Sequence, residues 1–156
     1  MNREELLDHH DYFILWLKEL KGVEEDKWFA PMEEGKWSIA ENVSHIIKWD
    51  KYILESVLPN ISEGAVLPAF PDFNTFNRKA ADYARGRITQ ERLLEEGIET
   101  RNSILHFIDG LDENRLGESF EVDDHHYTLS EFFDDFIWHD KHHQKQIEET
   151  LYKEKA

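Results

Sequence analysis

Residues 128–152 read TLSEFFDDFIWHDKHHQKQIEETLY, and this segment decides the class of fold. Thr128-Leu129-Ser130-Glu131 has the form of a capping box, in which hydroxyl and carboxylate each satisfy an exposed backbone donor, so a helix opens here. Advancing each residue by about 100° around the axis gathers Leu129, Phe132, Phe133, Phe136, Ile147 and Leu151 into one apolar stripe. His143 falls inside that stripe, His139 lies at its edge, and His142 points to the opposite, polar face. A helix running to about Tyr152 therefore carries an i, i+4 histidine pair toward a helical core.

The same signals recur along the rest of the chain. Residues Glu4 to Leu20 place Leu6, His10, Phe13, Leu17 and Leu20 at spacings of four, three, four and three, which predicts a first helix. Trp28, Pro31 and Gly35 then read as a loop ending at Trp37. A second capping box, Ser38-Ile39-Ala40-Glu41, opens a second helix that runs to about Leu58 and stops at Pro59. From Pro59 to Pro71 the three prolines and Gly64 fit a long crossover rather than a tight turn. A short helix over Phe73 to Tyr83 precedes a third long helix, capped by Thr89, interrupted by Gly97 and ending at Gly110. Residues Leu116 to Tyr127 alternate loosely around the turn-prone pair Asp123 and Asp124, which suggests a short hairpin. The expected fold is all-α: a four-helix bundle over a single domain, residues 1–156, in which not all neighbours alternate direction.

Composition limits the chemistry. Zero cysteines remove thiolate catalysis, thiolate ligands and disulfides together, leaving His, Asp and Glu as the strong metal ligands. No window approaches a membrane span, and the N-terminus lacks the layout of a signal peptide, so a cytoplasmic protein without a membrane partner is expected. The net charge of −16 and the lack of a Lys/Arg cluster lead to the expectation that nucleic acid is not a partner.

H-x-x-x-H supplies two nitrogens of a metal site, and a third ligand must come from His9, His10, His45, His106, His125 or His126. The helical wheels favour His10, which belongs to the core stripe of the first helix. His45 falls on the far side of the apolar arc formed by Ile39, Val43, Ile46, Ile47, Ile53, Leu54 and Val57, beside Trp49 and Tyr52. Asp50 lies on that apolar arc, and an acid there needs a partner; its candidate roles are orientation of a ligand and general-base work.

Two motifs carry a resemblance. The stretch Lys36-Trp37-Ser38-Ile39-Ala40-Glu41-Asn42-Val43-Ser44-His45-Ile46-Ile47, followed about ninety residues later by Trp138-His139-Asp140-Lys141-His142-His143-Gln144-Lys145-Gln146-Ile147, resembles the DinB/YfiT-like superfamily. The resemblance implies an up-down-down-up bundle, and His45, His139 and His143 as ligands of one divalent ion. It also implies a metal-dependent hydrolase or a low-molecular-weight-thiol S-transferase. Gln146 departs from the bacillithiol-transferase branch, which carries a further histidine there. Three imidazoles leave a fourth position for water or thiol, zinc and nickel are the ions that suit them, and binding is expected to weaken below about pH 6.5. The expected partners are a small-molecule substrate, with a low-molecular-weight thiol as one candidate, and a second copy of the chain in a homodimer. The competing reading is a metal-binding stress-response bundle without turnover.

Overall fold

Each long helix begins where a side chain takes over an orphaned backbone donor. In the computed structural model, which describes residues 1–153, α1 (Arg3–Glu19) opens on a capping box between Asn2 and Glu5. The short α2 (Glu25–Phe29) lies in the segment read as loop, and buries Trp28. Ser38 and Glu41 form the expected box at the start of α3 (Ile39–Tyr52). Asp72 caps α4 (Phe73–Arg85), and Thr89 caps α5 (Gln90–Asp109). The hydroxyl of Thr128 accepts the Glu131 N–H at 3.1 Å where α6 (Leu129–Lys153) begins. Past Tyr52 the helix widens into a π turn over Ile53–Val57 and tightens into a 3₁₀ turn over Leu58–Asn60, so the helical run reaches Pro59 as expected.

Two separate apolar clusters set the helix directions. One unites the start of α1 (Leu6), the segment after α3 (Val57, Leu58), the end of α5 (Ile104, Ile108) and the start of α6 (Leu129, Phe133). The other unites the end of α1 (Phe13, Leu17), the start of α3 (Ile39, Val43), the start of α5 (Leu93, Leu94) and the end of α6 (Ile147). Hence α1 and α6 run one way and α3 and α5 the other, which is the up-down-down-up bundle. The crossover makes this topology available, because it returns the chain to the end from which α3 began.

The crossover also contains a feature that the sequence did not reveal. Residues β1 (Ala65–Leu67) pair in parallel with β2 (Ser119–Val122), which forms the expected hairpin with β3 (His125–Thr128). The result is a three-stranded sheet in the order β1-β2-β3, not a lone hairpin. Asp123 makes the two-residue turn by adopting φ 57°. Leu67, Phe120 and Val122 bury their side chains against the first cluster, while Val66 points outward. A three-residue strand with one buried side chain has too little alternation to be recognised before its partner is known.

Gly97, which interrupts the third long helix, has a packing reason. A Cβ there would lie 2.8 Å from Cδ1 and 3.0 Å from Cγ1 of Ile47, a fully buried residue of α3. Gly97→Ala should therefore lower stability by about 1–2 kcal/mol, because crowding of about 1–3 kcal/mol outweighs a helix-propensity gain of up to about 1. Thermal unfolding followed by circular dichroism checks this; a raised Tm would show that Ile47 can move aside.

Candidate metal centre

The two histidines of α6 converge because they are one helical turn apart, and α3 brings a third. His139 Nε2 stands 3.2 Å from His143 Nε2 and 3.2 Å from His45 Nε2. A tetrahedral ion with bonds of about 2.0–2.1 Å holds its nitrogens roughly 3.3–3.4 Å apart, so the donor set fits a transition metal. His142 is exposed and stacks flat on Trp138, at 5.2 Å and 6°.

The wheel placed His45 on the far side of its helix, yet the residue is buried. The cause is α4, which packs across that side of α3 through the small residues Ala80, Ala81 and Ala84. Ser44 Oγ donates to the Ala80 carbonyl at 2.6 Å, and the Asn77 side chain reaches both Trp49 and His45. An indole N–H only donates, so the atom that Trp49 Nε1 meets at 2.8 Å is the Asn77 amide oxygen. That oxygen can only accept, so His45 Nδ1, at 3.0 Å, carries the proton. Its Nε2 is then left with the lone pair a metal needs. Burial first, and then the neighbouring His139, lower the His45 pKa to about 4, against the Asn77 hydrogen bond. Burial and the other rings hold His143 at about 3, and burial also lowers His139. All three rings are therefore neutral near pH 7.

His10, the choice of the wheels, is fully buried elsewhere. Its Nδ1 lies 3.4 Å from Arg101 Nη1, which can only donate, so the lone pair of His10 is directed at a guanidinium. Burial, followed by that positive charge, drives its pKa down to about 3. His9, the residue before it on α1, meets Asp140 Oδ2 at 2.8 Å. His9, His10 and Asp140 lie close enough to suggest a second ion site, but Arg101 already supplies the positive charge there.

Asp50 finds the partner it needs in Arg101. Nε and Nη2 of Arg101 donate to Asp50 Oδ2 at 3.1 and 2.8 Å, and Nη2 donates to Asp140 Oδ1 at 3.0 Å. Burial pushes the Asp50 carboxyl up, with the repulsion of Asp140 added. Burial also opposes the charge on Asp140, but Arg101 and His9 together hold this carboxyl below the ordinary range. Arg101 and Asp140 were missed in the sequence, although a signal existed. Leu94, Gly97, Arg101, Ile104 and Ile108 repeat at three and four, as do Phe133, Ile137, Asp140, Gln144 and Ile147. An opposite charge thus sits on each stripe where a third helix carries Asp50.

A cavity of about 370 Å³ borders His45, His139, Asp50 and Asp140 on one side of the centre. A second, of about 550 Å³, reaches His143 from the other side.

Fold and site together define a four-helix bundle with a three-histidine candidate centre near the middle of its length. Residues 13–147 match the DinB superfamily, and the chain belongs to it. Among curated proteins none matches the chain. Among solved structures it is similar to YfiT of Bacillus subtilis, described as a probable metal-dependent hydrolase with an unusual four-helix bundle topology. The TM-score is 0.75 at 17% identity, over 97% of this chain and 86% of that one. An uncharacterised protein of Clostridium difficile 630 gives 0.74 at 17%, over 96% and 95%. The colibactin self-resistance protein ClbS, solved with double-stranded DNA, gives 0.72 at 17%, over 96% and 95%. At these identities the likeness is one of fold. ClbS corrects the expectation that nucleic acid is excluded: a DinB-like protein can bind DNA. Net charge sums a whole surface, whereas a duplex meets only part of one. Among the described residues no helix is long and apolar enough to cross a membrane.

Two outcomes follow from this geometry. Arg101→Met should cost about 3–5 kcal/mol, because it leaves two carboxylates buried without a counter-charge; chemical denaturation measures it, and a loss under 1 kcal/mol would contradict the assigned pairing. In metal-free protein, His10 and His45 are harder to protonate folded than unfolded. The unfolded chain therefore gains protons first as pH falls below about 6.5, and each ring removes about 1.4 kcal/mol per pH unit until about pH 4. Proton uptake by the raised Asp50 carboxyl acts the other way but offsets no more than one ring, so Tm should still fall over that window.

Proposed function

We propose that the chain is a divalent-metal-dependent hydrolase that holds one transition-metal ion, zinc or nickel, on His45, His139 and His143. The observation that carries this reading is the convergence of three Nε2 atoms on one point beside a cavity. Among the described residues that donor group has three members, so a bound ion would keep a position for water or substrate, which favours turnover over a closed structural site. When bound, the ion supplies Lewis acidity where the three nitrogens meet.

The chain's own residues do the rest. Asn77 orients His45 and fixes its tautomer, and Trp49 fixes Asn77. Arg101 holds Asp50 at the cavity wall by one oxygen, and the raised pKa of this carboxyl suits it to accept a proton from an attacking water and return it to the leaving group. The aromatic side chains of Trp49, Phe70 and Phe136 give the cavity beside these groups an apolar lining.

The cavity that reaches His143 favours a second reading, S-transfer, since a low-molecular-weight thiol could approach from that side while its acceptor occupies the other.

The test is metal content by mass spectrometry together with turnover of esters, amides and electrophile-plus-thiol pairs. About one ion per chain is expected, lost on His45→Ala, His139→Ala or His143→Ala and kept on His10→Ala or His142→Ala. Asp50→Asn should keep the ion and lower kcat by about 10²–10⁴. Because the rings resist protonation, the ion should stay bound below the pH of about 6.5 set by an ordinary histidine. Retention of metal by His45→Ala with loss by His10→Ala would sink the assignment.

A further inference from the structure

The cavity beside His45 and His139 has a composition that restricts what can occupy it. It runs along α6 from Phe132 to His139, seven residues or about 10 Å, the length of a molecule with one ring. Trp49 forms one wall and is fixed there, with its N–H on Asn77 and its ring against Phe76 at 4.1 Å. Phe73, 59% exposed, and Phe70 lie against Trp49, and Phe136 also lines the cavity. Such faces suit a flat apolar body.

The two ends differ. At one end are His45 and His139, with Asp50 and Asp140 both paired to the fully buried guanidinium of Arg101. At the other, one helical turn before His139, stands Asp135, an exposed carboxylate. Tyr127 and Phe132 meet beside it almost at right angles, at 5.9 Å and 88°. Burial and then the Asp135 charge push the Tyr127 phenol up, which places the carboxylate near this aromatic corner. Among the described residues, neither Lys nor Arg lines the cavity. Aromatic faces beside an unneutralised carboxylate attract a cation and repel an anion.

We propose that the cavity takes a single-ring, apolar-bodied molecule that carries a positive charge, such as an ammonium, at the end remote from the three histidines. This inference rests on the proposed function only for the identity of the reacting end; the preference for a cation belongs to Asp135, Tyr127 and Phe132.

Zinc-loaded protein titrated calorimetrically with three benzamides, differing only in an aminomethyl, hydroxymethyl or carboxylate group para to the amide, tests it. The aminomethyl compound should bind about tenfold more tightly than the hydroxymethyl one, and the carboxylate more weakly still. Asp135→Asn should abolish the difference while leaving affinity for the hydroxymethyl compound within about twofold, and Phe73→Ala should weaken all three alike. Equal affinities, a preference that survives Asp135→Asn, or no binding at millimolar concentration would each overturn the proposal. Metal content is measured on the same samples. A cation preference in protein that holds no zinc would leave this inference standing and remove the hydrolase reading; bound zinc without the preference would do the reverse.

Discussion

The guanidinium of Arg101 has no contact with solvent and sits between two apolar clusters, against Phe13 of one and Phe136 of the other, at a level where helices α1, α3, α5 and α6 present His10, Asp50, Arg101 and Asp140 to the interior. A charge in that position is tolerated only with partners of good geometry, and it has them in Asp50 of α3 and Asp140 of α6, with His10 of α1 beside it. These partners restrict how each helix may rotate or slide. A shift of α6 by one residue would carry Asp140 away from Arg101 and leave that carboxylate buried without the guanidinium. The phase that satisfies Asp140 also turns its neighbour His139 toward α3. The register of the candidate centre is thus a consequence of a buried ion network one residue away from it.

The other constraint comes from α4. A helix covered on one side presents one apolar arc, but α3 is covered twice, by the bundle on one side and by α4 on the other. Ser38 to Ile47 are all buried for that reason. Three alanines let α4 approach closely enough for Asn77 to bond both Trp49 and His45. The direction of each hydrogen bond is forced, because an indole nitrogen only donates and an amide oxygen only accepts. The proton on His45 is therefore assigned from packing, and the nitrogen facing α6 is the one that can bind an ion.

Much of the fold was legible in advance because its causes are local. Capping boxes at Ser38 and Thr128, the Thr89 cap, and apolar positions at three and four residues define helices through contacts within one or two turns. β1 was invisible because Ala65 to Leu67 becomes a strand only by pairing with residues more than fifty positions away. Arg101 and Asp140 were visible as charges on apolar stripes, yet each has meaning only beside the other and beside Asp50. Gly97 looked like a weakness in a helix until Ile47 was found against it.

Local signals were thus enough for the long helices, the crossover and the pairing of His139 with His143, since helical geometry fixes the distance between positions i and i+4, but not for the short α2, which was read as loop. They also determined that His142 points away. Which third histidine meets that pair depends on how α3 and α4 pack. The wheels favoured His10 because they record one apolar arc per helix and cannot register a second covering layer. The resemblance indicated His45, and the packing of α4 on α3 supplies the physical reason that this side of the helix is interior. Convergence of His45 on His139, ninety-four residues later, depends on how helices stack, and no local interaction encodes it.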